Sequence, residues 1–284
     1  MKGGAAPASN KAAMDARTLV AHVLAVAAIV LVLLWCIHFR GGLALRSQDK
    51  PLIFNVHPVL MVLGPIVLAG EAILSYRSLP LARDARKKVH LALHAAGLAG
   101  GVLGVYAVFK FHVESGIPNL YSLHSWVGIA TVTLYGLQWT AGFLTYFFPG
   151  ASPTTRRRTL PWHAVFGLLI FVLAVGTAQL GFLEKLTFMQ GQPLRLPKYG
   201  AEALLINFTA VVVLLLGVAV VLATVNIDGT REGELPQRQR RERSCMDGQP
   251  GGKGGASAVA APSRCMDERV EEEPRRRGRR GKRW

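Results

Sequence analysis

The stretch "NLYSLHSWVGIATVTLYGLQWTAGFLTYFF" occupies residues 119–148, and no Asp, Glu, Lys or Arg interrupts it. From Leu123 onward it is long enough to cross a bilayer, because about 20 apolar residues in a helix span the hydrocarbon core. In lipid the backbone must satisfy its own hydrogen bonds, so a run of this kind is a helix. It nevertheless opens on a histidine, His124. Three other apolar segments begin the same way: "FNVHPVLMVLG" with His57, "KKVHLALHAAG" with His90 and "LPWHAVFGLLI" with His163.

Working outward, six runs pass the length test, at about 18–38, 56–76, 89–109, 123–147, 162–182 and 202–225. The chain of 284 residues is 51% hydrophobic, and its mean hydropathy is +0.31 despite 33 Lys and Arg. Charge is therefore segregated into short loops and the ends. The sequence predicts an all-α integral membrane protein with six transmembrane helices spanning 18–226, a short N-terminal segment at 1–17 and a tail at 227–284. The first run is too long for the apolar core of a cleaved signal peptide and is read as a span. Cys36, Cys245 and Cys265 form neither a disulfide framework nor a CxxC metal site.

Lys and Arg concentrate in cytosolic loops. The second connection carries Arg77, Arg83, Arg86, Lys87 and Lys88 against Asp84, and the fourth carries Arg156, Arg157 and Arg158 with no acid. With six spans these loops and both termini share one side, which the rule makes cytosolic. The tail is rich in Gly, Arg, Pro and Glu, with too few large apolar residues to fold. Its arginines suit anionic lipid better than nucleic acid in a membrane protein. The plainer reading is a solvated, disordered basic tail without a specific partner.

The four histidines are separated by 33, 34 and 39 residues, each about one span plus one connection. Consecutive spans run antiparallel, so His57 and His124 fall near the non-cytosolic face, and His90 and His163 near the cytosolic face. Any one of them could simply bond a backbone carbonyl of a neighbouring helix. Four at matched depths fit two bis-imidazole haem clamps stacked across the bundle. His94, one turn after His90, is the rival ligand and is read as a packing residue. His22 and His38 are read as structural, and His112 lies in the short outer loop. Gly97, Gly100, Gly101 and Gly104 form overlapping GxxxG patterns that serve close helix packing or the approach of a flat ligand.

The segments "FNVHP", "GEAILSYR", "KKVHLALH", "FKFHVESGIPNLYSLHSWVG" and "LPWHAVFG" resemble the cytochrome b561 family of ascorbate-dependent transmembrane cytochromes. The resemblance covers all six spans. It implies a central four-helix bundle holding two haem b per chain, with His57 paired to His124 and His90 to His163. It implies cytosolic ascorbate as donor, met by Lys87, Lys88 and Arg157. On the outer side it implies monodehydroascorbate or a ferric chelate as acceptor near His112, with Asn119 and Tyr121 beside it. Arg77 matches a basic position suited to a haem propionate or ascorbate. A homodimer is implied by the resemblance alone. The chain departs from the family in "HVES", where many relatives carry Asn after the histidine, and in its long Arg-rich tail. The implied activity is a transmembrane oxidoreductase of the monodehydroascorbate or ferric reductase type. A proton-coupled or metal-ion transporter using the same histidines is the alternative. It would need further intramembrane acids, and Glu71, Gln138 and Gln179 are almost all that the spans offer. A haem-binding scaffold or sensor is a second rival.

Overall fold

The computed structural model describes residues 15–225. The predicted N-terminal segment, apart from its last residues, and the predicted tail lie outside them. Among the described residues the chain is helical, with six helices long and apolar enough to cross a membrane. The first span is α1 (Ala16–Leu34), continued by a π-helical turn, Trp35–Phe39. The second is α2 (Lys50–Met61), a π-helical segment Val62–Leu68, and α3 (Ala69–Ser78). The remaining four are α4 (Arg83–Ser115), α5 (Leu123–Tyr146), α6 (Pro153–Gln190) and α7 (Ala201–Thr224). The protein is an integral, multi-pass membrane protein. Below, the upper end is the one bearing loops 40–49, 116–122 and 191–200, and the lower end bears 79–82 and 147–152.

The helix starts follow from local chemistry. Ser122 caps α5, accepting from Ser125 N at 3.3 Å, while Ser125 Oγ accepts from Ser122 N at 3.1 Å. This reciprocal box satisfies two amides that the first turn leaves without partners. Ser152 does the same for Thr155 N at 3.2 Å, with Pro153 pre-set at the first helical position. α4 stops at Gly116, whose φ of 69° is a left-handed conformation that suits glycine. Pro58 and Pro65 lie inside the second span, where missing amides break the α-helical ladder and a π-helical stretch results.

Three helices start earlier than apolar composition alone suggests. α2 starts at Lys50, α4 at Arg83 and α6 at Pro153, all in polar sequence. His57, His90 and His163 therefore sit two to three turns inside their helices rather than at the openings the sequence suggests; only His124 lies in a first turn. The reason is that helices continue past the hydrocarbon boundary. At 38 residues α6 is about 57 Å long, far beyond the thickness of the bilayer core.

α1 and α7 pack together, and their shared core is mostly small and β-branched: Ala21, Ala25, Ala28 and Val32 from α1, and Ile206, Val213 and Val220 with Leu216 from α7. Polar ties fix them to the second span and to each other. His22 Nδ1 lies 2.8 Å from Glu71 Oε1, joining α1 to α3. Arg40 pairs with Glu202 at 2.6 Å, and Trp35 Nε1 donates to the same carboxylate at 3.0 Å.

The second span meets α4 through glycine on both sides. A Cβ added to Gly64 would lie 2.7 Å from Gly97 O, and one added to Gly101 would lie 3.1 Å from Pro65. Gly104 faces Met61 and Leu60. The glycine pattern of α4 is thus a helix-packing device here. Gly64→Ala should destabilise the solubilised protein by about 1–3 kcal/mol, the usual cost of overpacking. Gly176→Ala, where nothing lies within 4 Å of the new Cβ, should leave stability unchanged. Thermal unfolding in detergent of the two variants side by side checks both.

Candidate functional site

The bundle brings the four histidines together in two pairs. The ring centroids of His57 and His124 are 6.1 Å apart at an interplanar angle of 85°, and those of His90 and His163 are 6.4 Å apart at 66°. A metal–imidazole bond is about 2.0 Å and the ring centre lies about 1.1 Å behind the nitrogen, so two imidazoles sharing one ion need about 6.2 Å. Both gaps match that spacing.

Each ring is held by its other nitrogen. His57 Nδ1–H donates to Gly104 O at 3.0 Å, His90 Nδ1–H to Ala72 O at 2.9 Å, and His124 Nδ1–H to Thr177 O at 3.0 Å. A carbonyl can only accept, so the proton sits on Nδ1 and the Nε2 lone pair is left for a ligand bond. These are the carbonyl bonds that would explain a single buried histidine, yet they use only the nitrogen that a metal would not. His163 differs. The Gln138 side-chain amide lies 3.0 Å from its Nδ1 and 2.8 Å from its carbonyl. One amide nitrogen makes both contacts, so Nδ1 accepts here and this ring, unlike the other three, carries its proton on Nε2; freeing Nε2 for a ligand bond requires Gln138 to release the carbonyl.

The partner residues follow a spacing that sequence reading passed over. Gly104 lies 14 residues after His90, Gln138 14 after His124 and Thr177 14 after His163, while Ala72 lies 15 after His57. Fourteen residues are close to four helical turns, so each helix shows a histidine to one layer and an acceptor to the other on nearly the same face. The two layers are consequently about 21 Å apart along the helices. A search at four turns from each histidine would have found the acceptors.

Among the described residues no group of three or more His, Cys, Asp or Glu could hold a metal. Each layer offers two imidazoles and, among the described residues, no third metal-binding side chain, which would suit a metal carried in a macrocycle. Glycines make room beside the rings. A Cβ at Gly181 would stand 2.7 Å from His124 Cε1, and one at Gly142 would stand 3.0 Å from His163 Cε1. The residues present fit a bis-histidine haem. His94 is accounted for elsewhere: its Nδ1–H donates to Tyr135 OH at 2.8 Å, and that hydroxyl donates back to the His94 carbonyl at 3.2 Å. Of the polar side chains in the spans that the transporter alternative would use, Glu71 is engaged by His22 and Gln179 donates to Ala210 O.

Below the lower pair lies an aromatic and basic rim. The Tyr76 ring is 5.3 Å from His90 and the Tyr146 ring 5.2 Å from His163, two neighbours that the sequence reading did not single out. Arg86 lies over Tyr76 and donates to its carbonyl at 2.7 Å, and Lys87 lies 5.5 Å over Phe147. Lys88 and Arg157 are exposed, whereas Arg156 is folded onto Ala151 O at 2.8 Å. Arg77 is also exposed, and its guanidinium donates to Thr224 O at the C-terminus of α7. That is a favourable place for a cation.

At the upper end His112 Nδ1 lies 3.1 Å from Asn119 Oδ1, and its ring is 6.3 Å from Tyr121. These three residues are brought together as the resemblance implies, but His112 stands in the last turn of α4 and not in the outer loop where the sequence reading put it. Burial and the neighbouring Glu184 carboxylate hold the Tyr121 phenol above its ordinary range. Glu114 closes this rim, paired to Lys50 at 2.7 Å and to Lys110 one turn earlier.

The ring positions have a direct consequence. Gly181→Ala should displace the His124 ring and, if that ring holds a cofactor, lower the bound pigment per chain, since such sites tolerate shifts of only about 0.5 Å. Gly176→Ala, on the same helix, should cost none. Pigment per chain after purification checks the pair.

The eukaryotic cytochrome b561 family model matches residues 56–189, a stretch containing all four paired histidines. The chain is 60% identical over 210 residues to a probable ascorbate-specific transmembrane electron transporter 1 of Oryza sativa subsp. japonica, covering 74% of this chain and 89% of that protein. It is 57% identical over 205 residues to transmembrane ascorbate ferrireductase 1 of Arabidopsis thaliana, covering 72% and 85%. It is 39% identical over 242 residues to the transmembrane ascorbate-dependent reductase CYB561 of Pongo abelii, covering 84% and 93%. Paired histidines within a six-span helical bundle and relatives at this identity lead to one assignment: the chain belongs to the eukaryotic cytochrome b561 family, whose prosthetic group is b-type haem.

Proposed function

We propose that the chain is a transmembrane oxidoreductase carrying electrons from cytosolic ascorbate to an acceptor on the opposite side, monodehydroascorbate or a ferric chelate. In this reading it holds two haem b per chain, one between His57 and His124 and one between His90 and His163. The observation that carries it is the pair of imidazole gaps, 6.1 and 6.4 Å, lying on two levels of one bundle. Relatives named ascorbate-specific electron transporter and ascorbate ferrireductase support the donor and the reaction class. When bound, haem supplies a reversible one-electron couple whose potential the axial nitrogens and their hydrogen bonds tune.

The protein's own part is positioning and electrostatics. Gly104, Ala72 and Thr177 carbonyls orient three rings through Nδ1, and Gln138 orients the fourth. The lower rim is cationic, which raises the local concentration of ascorbate, a monoanion near neutral pH. Lys87, Lys88 and Arg157 are the residues assigned to it; Arg77, anchored on Thr224 O, contributes charge at the same end. Tyr76 and Tyr146 cover the lower rings and limit the access of water. At the upper end His112, Asn119 and Tyr121 form the polar mouth assigned to the acceptor. The bias of basic loops supports a cytosolic lower end and cytosolic termini. A homodimer belongs to the same reading through the family resemblance.

His57→Ala and His90→Ala should each halve the haem per chain and leave the other layer reducible by ascorbate, as read from reduced-minus-oxidised spectra with haem quantified. Loss of both pigments from either variant, or of none, contradicts the pairing. Charge reversal in the double variant Lys87→Glu with Arg157→Glu should raise the KM for ascorbate about tenfold at low salt, an effect that fades as ionic strength rises. Steady-state reduction at two salt concentrations checks this.

A further inference from the structure

Lys185 has no part in the scheme above, yet its place in the bundle is specific. α6 runs upward, and Lys185 lies four residues after Gly181, hence one turn higher on the same face. Gly181 is the position against which the His124 ring packs. From the other side, α2 runs downward and Phe54 lies three residues before His57, so it stands one turn above that ring, at 6.1 Å between centroids. Lys185 Nζ sits 3.7 Å from the centre of the Phe54 ring. The ammonium therefore lies on the Phe54 ring about one turn above the upper imidazoles, and Phe111 steadies Phe54 edge-on at 5.3 Å.

The carboxylates nearby are engaged elsewhere. Glu184 accepts from Ser122 Oγ at 3.1 Å, and Glu202 takes Arg40 at 2.6 Å and Trp35 at 3.0 Å. Among the described residues Lys185 forms no ion pair within 4.0 Å, although it is half-buried in a membrane helix. An ammonium removed from water is costly unless an anion or a π-face compensates it, and the aromatic face supplies only a part.

We propose that Lys185 binds a carboxylate or similar anionic oxygen one turn above the His57/His124 pair. Two sources share that chemistry: a carboxylate arm of the bound macrocycle, and an anionic electron acceptor entering the upper mouth. The assignment rests on the reading of His57 and His124 as axial ligands. It extends that reading by giving the upper mouth a charge preference, toward anions and away from cations.

The test compares the haem-loaded full chain with Lys185→Met, Lys185→Gln and Lys185→Arg. The polar Gln variant serves if Met impairs assembly. Midpoint potentials are measured by spectroelectrochemical titration, and turnover by ascorbate reduction with ferric EDTA, an anion, or hexaammineruthenium(III), a cation, as acceptor. If the anion is the acceptor, Met or Gln raises the KM for ferric EDTA about fivefold, the worth of one partly screened charge, and leaves that for the ruthenium complex unchanged or lower. If the anion belongs to the macrocycle, the same variants lower the potential of one haem and leave the other in place. Either result supports the assignment when Arg restores parental values. A pigmented Met or Gln variant that matches the parent in both potentials and both KM values overturns it. A parent protein that binds no haem overturns the ligand reading beneath it, and this proposal with it.

Discussion

The hydrogen bond from a histidine Nδ1–H to a carbonyl of a neighbouring helix is the constraint on which the site depends. It satisfies a polar ring inside the membrane, fixes the tautomer and leaves the Nε2 lone pair uncommitted. Three rings use backbone carbonyls, whose positions are set by helix packing, so ligand geometry is inherited from the fold. The fourth relies on the Gln138 side chain and is the one place where a single substitution can alter the second nitrogen's partner without moving a helix.

The packing that holds these carbonyls in position is made largely of absent side chains. Gly64 against Gly97 and Gly101 against Pro65 bring the second span and α4 close enough for His57 to reach Gly104. Gly181 and Gly142 leave space for the rings of α5 and α6 themselves. Small residues thus act twice, once between backbones and once beside imidazoles. With two imidazoles per layer and no larger metal-binding cluster among the described residues, the bundle would leave the remaining coordination to a macrocycle.

Much of this was legible in the sequence. Uncharged runs such as residues 123–147 have one physical outcome in lipid, and alternation of helix direction places His57 with His124 and His90 with His163. The gathering of His112, Asn119 and Tyr121 came from the family resemblance, and the turn at Gly116 is what brings the end of α4 beside Asn119. Helix starts were less legible, because Lys50, Arg83 and Pro153 begin helices in polar sequence that hydropathy does not mark. Tyr76 and Tyr146 escaped notice because an aromatic residue near a membrane interface is ordinary, and only the fold shows which ring it touches. The same is true of Lys185, one basic residue in a nearly neutral loop until α6 sets it above the upper pair.

The central claim is that each layer is a two-imidazole clamp for one iron, with rings at 85° in one layer and 66° in the other. Low-temperature electron paramagnetic resonance of the oxidised, purified protein tests it most directly. The account predicts two low-spin ferric signals of different anisotropy, the more anisotropic from the layer whose rings are nearer perpendicular. A single signal, or a high-spin one from an iron lacking its second nitrogen, would contradict it.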